Sequence, residues 1–316
     1  MDTVLTGTNI TTDDMRENLI VVLSVYIPLD VVIITGNALV LFFFRQTRHF
    51  EDPQFVLLAS LAFVDLLTGI IAVPMFMWGH ISTRRSLYLP SKCHIQYIPS
   101  KIFISISFCH LLLITVDRYV SIMKPLHYHK LITLRRIYFS IAFSWILGCF
   151  YGTMPFFGET KTIEGIFLCY LPSRHAFIAQ GYVTLAMVSI GTLLLIIMYF
   201  RIVLEARKHN ANIESISLST RKIVRKRFKA AKTSALIVCA FGITFLPHAL
   251  KPVVYSGYQR SDMYWYILIA EALVNTSSAV NPFIYVCRLR QFSYALSRLF
   301  NKTSTRATKS TSGTSC

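Results

Sequence analysis

A chain of 316 residues, 54% of them hydrophobic and only 15% charged, carries more apolar surface than a water-soluble domain of that length can bury. The formal net charge of +17 would suit a nucleic-acid partner if it were spread over a surface. Lysine and arginine gather instead in the gaps between apolar runs, which is how a membrane-crossing protein distributes charge and leaves no role for nucleic acid.

Residues 1–18 are polar and acidic, without the basic start and apolar core of a cleavable signal, so the first helix is expected to act as its own insertion signal. Asn9 opens an Asn-Ile-Thr tripeptide, a glycosylation acceptor if this end lies outside the cell. Seven apolar segments follow, at 19–44, 55–78, 95–123, 137–157, 177–204, 232–256 and 263–287. An odd count puts the two chain ends on opposite faces, and basic residues decide which is which. The gaps after spans two, four and six hold only a few cations, partly offset by Glu159, Glu164 and Asp262. The alternate gaps hold Arg45, Arg48, Lys124, Lys130, Arg135, Arg136 and the cluster from Arg221 to Lys232, and the tail adds Arg288, Arg290, Arg298 and Lys302. The N-terminus is therefore expected outside and the C-terminus in the cytoplasm of a multi-pass plasma-membrane protein. Residues 19–287 form the membrane domain. Residues 288–300 read as a short amphipathic helix on the inner interface, among membrane lipids. Residues 301–316, rich in Ser, Thr and Lys, are expected to be disordered.

Ionisable groups inside a span are costly and point to function. Asp65 lies twelve residues beyond Pro53, about 18 Å along a helix and close to mid-membrane. Asn37 in span one, Ser105 and Ser107 in span three, and Asn275, Ser277, Ser278 and Asn281 in span seven can converge on it. A monovalent cation, most simply sodium, would compensate the carboxylate; the plainer alternative is a protonated, hydrogen-bonded Asp65. Twenty-five residues separate Cys93 from Arg118, about 37 Å of helix, so Cys93 stands at the outer mouth and Asp117-Arg118 at the inner rim. A carboxylate beside a guanidinium can hold it in one rotamer until the bundle opens, when Tyr199 and Tyr285 can swing toward it; the plainer reading is that both residues snorkel to water. Cys93 and Cys169 are both expected outside, where disulfides persist, and a bridge would pin the loop between spans four and five over span three.

Taken together these residues resemble the rhodopsin-like (class A) G protein-coupled receptors, over about residues 19–300. The marks are Gly36-Asn37, Leu61-Ala62 with Asp65, Cys93, Asp117-Arg118-Tyr119, Trp145, Tyr199, Pro247, and Asn281-Pro282 through Tyr285. The resemblance implies an all-α seven-transmembrane helix bundle, a sodium pocket at Asp65, Ser107, Ser277 and Asn281, and Arg118 as the contact for a heterotrimeric G protein α subunit. The loop that starts at Pro125 is implied as a second contact, and arrestin and a receptor kinase as further partners. Three departures stand out: Gly191 replaces the span-five proline, Phe245 replaces the usual tryptophan switch of span six, and Arg227 replaces the acid that often pairs with the span-three arginine. The inner motifs, FKAAKTSALIV and NPFIYVCRLRQF, are most similar to adenosine receptors, within a subgroup that includes melanocortin, cannabinoid and lysophospholipid receptors.

The outer halves of spans three, five, six and seven are where a small extracellular ligand is expected. Ser100 stands where an amine-binding aspartate would, and Asn275 where a retinal-binding lysine would, which disfavours both ligand classes. Pro252, Leu171 and Asn275 replace the residues by which adenosine receptors grip adenine, so an adenosine-like nucleoside receptor is the alternative. What remains is Lys101, Lys251 and Glu271, with Tyr97, Phe103, Tyr255, Tyr264 and Trp265, which favours an anionic or zwitterionic ligand. Lys101 can pair with Glu271 or one lysine can receive a ligand phosphate or carboxylate, and the plainer reading is that Lys251 and Glu271 snorkel to the outer rim. No HExxH, GxSxG or metal-spaced His/Cys cluster appears, so neither an enzyme nor a protein with a resident cofactor beyond allosteric sodium is expected. The absence of an internal repeat argues against the alternative from another class, an ion-coupled transporter.

Overall fold

The computed structural model describes residues 12–46, 52–84, 97–154, 174–211, 218–251, 253–254 and 260–288, and within them the chain is all helix and tight turns. Seven long helical spans appear: Thr12–Gln46; Pro53–Leu67, continued through a π-helical turn at Thr68–Ala72 into Val73–Arg84; Ile98–Met123; Leu134–Thr153; Arg174–Ala211; Leu218–Ala249; and Arg260–Arg288. Six of these are long and apolar enough to cross a membrane. The remaining one, Leu134–Thr153, opens on Arg135-Arg136 and carries Ser140, Ser144, Gly148 and Gly152 among its apolar residues. Leu, Ile and Phe face outward on the peripheral spans, while central span three exposes Val116 alone among its large hydrophobics, as a bilayer solvent around a packed bundle requires. Cys93, Cys169, Asn9, the amphipathic segment beyond Arg288 and the tail all lie outside the described residues.

The helices overrun the apolar runs that announce them. Span five continues to Ala211 and span six begins at Leu218, because charged residues suit a helix that has left the bilayer. Span six is helical to Ala249 and, after a turn at Leu250 whose N bonds Leu246 O at 3.1 Å, is helical again at Lys251, Val253 and Val254, where Val254 N bonds Leu250 O at 3.1 Å.

Span three is the axis of the bundle, touching spans two, four, five and six, while span seven packs against one, two and six. The main core joins Leu57 and Leu61 of span two, Leu111 and Ile114 of span three, Ile237, Phe241 and Phe245 of span six, and Val274 and Tyr285 of span seven. Lipid tails are as apolar as leucine, so close backbone approach rather than hydrophobic burial brings spans together. Ser144, Gly148 and Gly152, spaced by four, give span four a small-residue stripe against span three. A Cβ on Gly152 would lie 3.0 Å from Ile102 N and 3.1 Å from its Cα, which cannot move aside as a side chain can.

Gly152→Val should therefore cost about 1–3 kcal/mol by overpacking and lower the melting temperature of the detergent-purified protein. Gly242→Ala, where an added Cβ meets nothing within 4 Å, should leave it unchanged or slightly raised.

Candidate functional site

Three polar centres sit at three depths of the bundle. At the inner rim Arg118 donates from Nε to Asp117 Oδ2 at 2.8 Å, and its terminal nitrogen ion-pairs with the same oxygen. The other oxygen, Oδ1, accepts from the hydroxyl of Tyr128 at 2.7 Å. Asp117 and Arg118 are 1% and 4% exposed, so both are held inside rather than extended to water. Tyr128 belongs to a single helical turn, Tyr128–Leu131, in the loop between spans three and four. Burial, then the Asp117 carboxylate, pushes its phenol above the ordinary tyrosine range, so it remains a donor at any physiological pH. Arg136 fixes that turn by donating to the carbonyls of Lys130 and Leu131 at 2.8 and 2.9 Å. Pro125 is exposed, and Leu126 after it is 91% exposed at the membrane's inner edge.

Tyr119 and Tyr199 pack with Ile122, Ile202, Ala231 and Phe228 where spans three, five and six meet. The hydroxyls of Tyr199 and Tyr285 are buried without a hydrogen-bond partner among the described residues. Thr115 and Ser234, polar neighbours of Tyr199, donate to their own helices at Leu111 O and Ala230 O. Among the described residues no ion pair joins span six to Arg118, and Arg227 stands where an acid would be needed to make one.

At mid-membrane Asp65, 1% exposed, accepts from Ser278 at 2.7 Å on Oδ1 and from Asn281 at 2.8 Å on Oδ2. Asn37 donates to Ile33 O at 2.9 Å and to Ser278 O at 3.0 Å, so spans one, two and seven are tied through one residue of span seven. Pro282 follows inside the helix, and its ring approaches Gly36 of span one. Of the polar groups expected around Asp65, Ser277 instead donates to Val274 O at 2.7 Å and Ser105 to Lys101 O at 2.7 Å; Ser107 and Asn275 are buried. Two buried ionisable groups were missed in the sequence. His110 donates from Nδ1 to Ile106 O at 2.8 Å, which leaves Nε2 to accept from Ser60 at 2.7 Å and joins spans two and three. Asp30 lies against Gly69 in the π-helical turn, its Oδ1 buried without a partner. A charge inside an apolar run was the available signal for both.

In the outer half Lys251 pairs with Glu271 Oε1 and also approaches His248 Nδ1 at 3.0 Å, and His248 Nδ1 stands 3.4 Å from the same carboxylate oxygen. Lys251 and Glu271 thus turn inward to each other rather than snorkelling, as expected of opposite charges in a low-dielectric slab. Lys101 feels Glu271 electrostatically from span three. Glu271 Oε2 is buried with no donor among the described residues. The His248 ring stacks on Phe245 at 5.3 Å, Phe245 on Phe241 at 5.1 Å, and Phe241 on Phe108 of span three at 6.0 Å. Tyr266 of span seven donates to Pro247 O at 2.5 Å, holding span seven against the proline of span six. Ser100 is buried, while Tyr97 and Phe103 pack toward span two, Tyr97 against Phe76 and Phe103 against Val64 and Ala72. Tyr255 lies outside the described residues, as does the side chain of Tyr264.

Residues 36–285 match the family model of the 7 transmembrane receptor (rhodopsin family). Among curated relatives the chain is 25% identical to adenosine receptor A2b of Gallus gallus, across 88% of this chain and 89% of that one. It is 30% identical to adenosine receptor A2a of Homo sapiens, across 85% and 70%. A trace amine-associated receptor 7h of Rattus norvegicus is 27% identical across 81% and 75%.

Removing either partner of the Lys251–Glu271 pair leaves a buried charge uncompensated. Lys251→Met and Glu271→Leu should each destabilise the purified protein by about 3 kcal/mol, and the double variant Lys251→Met/Glu271→Leu should recover most of the loss. Thermal unfolding of the four proteins as a double-mutant cycle measures this coupling.

Proposed function

Because the chain belongs to the rhodopsin family of seven-transmembrane receptors, we propose that it relays the binding of a small extracellular ligand to a heterotrimeric G protein. The observation that carries this reading is Arg118, buried at the inner rim and held by its own neighbour Asp117, with no ion pair to span six among the described residues. Outward movement of spans five and six would bare the guanidinium to an α subunit. The unpaired hydroxyls of Tyr199 and Tyr285 are then available to it, and exposed Pro125 and Leu126 offer a second contact. Arrestin and a receptor kinase would share the same inner face.

The ligand is anionic or zwitterionic. Lys101 and Lys251 stand against one buried acid, Glu271, whose Oε2 has no hydrogen-bond partner among the described residues and can accept from a ligand N–H or O–H. A nucleoside is the second reading, favoured by the adenosine receptors among the relatives. Against it stand Pro252, Leu171 and Asn275 at the adenine-gripping positions. A sodium ion fits at Asp65. The carboxylate is buried, and its two oxygens with the hydroxyl oxygen of Ser278 are the oxygen ligands a hard cation takes, while the Asn281 amide, which here donates from Nδ2, would turn its oxygen to the ion. Asp65, Asn281, Ser107 and Ser277 or its neighbour Ser278 would hold it and supply no chemistry beyond charge compensation.

In cells carrying a sensor for each G protein class, screened with nucleosides, amino acids, lipid phosphates and amines, at least one anionic or zwitterionic compound should evoke a signal that Lys101→Glu abolishes without loss of surface expression. Activation by uncharged nucleosides alone would favour the second reading. Basal signal above an empty-vector control is expected, since Arg227 repels where an acid would clasp, and Arg227→Glu should reduce it. Sodium chloride should raise the melting temperature of the purified receptor relative to choline chloride at equal ionic strength, and Asp65→Asn should remove the difference.

A further inference from the structure

We infer that His248 is a proton-binding site through which extracellular acidification drives the bundle toward its open form, a response separate from that to any organic ligand. An ammonium only donates, so with Lys251 Nζ 3.0 Å from His248 Nδ1 the ring nitrogen is the acceptor and the neutral imidazole carries its proton on Nε2. A proton arriving at Nδ1 takes the lone pair that Lys251 uses. The nitrogen then becomes a donor facing a donor, and its nearest acceptor, Glu271 Oε1 at 3.4 Å, is the atom Lys251 already occupies. Every charged group that acts on the ring enters this exchange. Span six supplies Lys251, span seven Glu271, and span three Lys101, which also acts on His248. Protonation sets three cations against one carboxylate, so either Lys251 leaves the pair or the imidazole turns toward Glu271.

Neither movement is local. The imidazole is the upper member of a stack that descends through Phe245 and Phe241 to Phe108, at centroid separations of 5.3, 5.1 and 6.0 Å. The tip of the Phe108 ring is seated where Gly191 of span five leaves room, and a Cβ there would collide with its Cζ. Spans six, three and five are therefore joined by one column of rings whose outer end is the titrating group. The observed arrangement, with Arg118 buried, is the one in which His248 is neutral. By linkage a proton that cannot be accommodated in it favours the alternative arrangement. An unperturbed imidazole changes its charge between about pH 5 and 8. The His248 side chain is 16% exposed and lies two residues before the turn at Leu250 that ends the main helix of span six.

The inference rests on the receptor reading only for its signalling readout, and two measurements keep their failures apart. Purified receptor with Lys232→Cys, an exposed position at the inner end of span six, is labelled with bimane and its fluorescence followed from about pH 8 to about pH 6. The emission should change with acid when His248 is present and stay flat in His248→Gln, which keeps an uncharged acceptor but takes up no proton. In parallel, basal G protein signal in cells should rise several-fold over the same interval in the wild type and not in His248→Gln. A flat bimane profile in the wild type, or the same profile in both proteins, overturns the inference. A pH-dependent bimane change without any G protein signal sustains the proton site and overturns the coupling reading instead.

Discussion

A polar group in the hydrocarbon layer must find its partner inside the protein, since lipid offers none. That constraint fixes this bundle at three depths. Glu271 and Lys251 close the outer end between spans six and seven, Asp65 gathers span seven onto span two at mid-depth, and Asp117 holds Arg118 at the inner rim. Apolar burial between such anchors adds little direction, because a leucine facing lipid and one facing another span are in similar surroundings. Small residues then let the backbones approach where the anchors have drawn them, as Gly152 does at Ile102.

Two of the departures from the family pattern belong to one structure. Gly191, in place of a span-five proline, leaves the space that the Phe108 ring fills, and Phe108 stacks on Phe241 below Phe245, which stands in place of the span-six tryptophan. A proline at 191 would occupy the seat of Phe108, and an indole at 245 would not fit the stack between Phe241 and His248 without displacing one of them. The result is a continuous path of rings from the outer charge cluster into the main core, where Phe241 and Phe245 pack with Tyr285. Packed aromatic rings shift between discrete arrangements rather than deforming smoothly, which is what a two-state transmitter requires.

The seven spans were legible in the sequence because each is an apolar run between charges, and Asp65 and Arg118 were legible because a charge in or at the end of such a run is rare. What stayed hidden turns on rotamers and on short-range geometry. Ser277 and Ser278 differ by one residue, about 100° around a helix, and only the second points at Asp65. Lys101 and Lys251 are both within reach of Glu271 by depth, and the choice of Lys251 depends on its sharing span six with His248. Tyr128 sits in a four-residue turn too short to announce itself by periodicity, yet it holds half of the Asp117 carboxylate. The π-helical turn at Thr68–Ala72, which brings Gly69 against Asp30, has no sequence signature at all.

The whole account depends on the inner ends of spans three and six parting so that Arg118 can leave Asp117. Spin labels at Arg135 and Lys229, both exposed on the inner side, one at the start of span four beside span three and the other on span six, report that separation directly by pulsed dipolar spectroscopy. A second, longer distance should appear when the receptor is mixed with a G protein heterotrimer in nucleotide-free conditions. One unshifted distance across every member of a G protein panel, with the complex demonstrably formed, would contradict it.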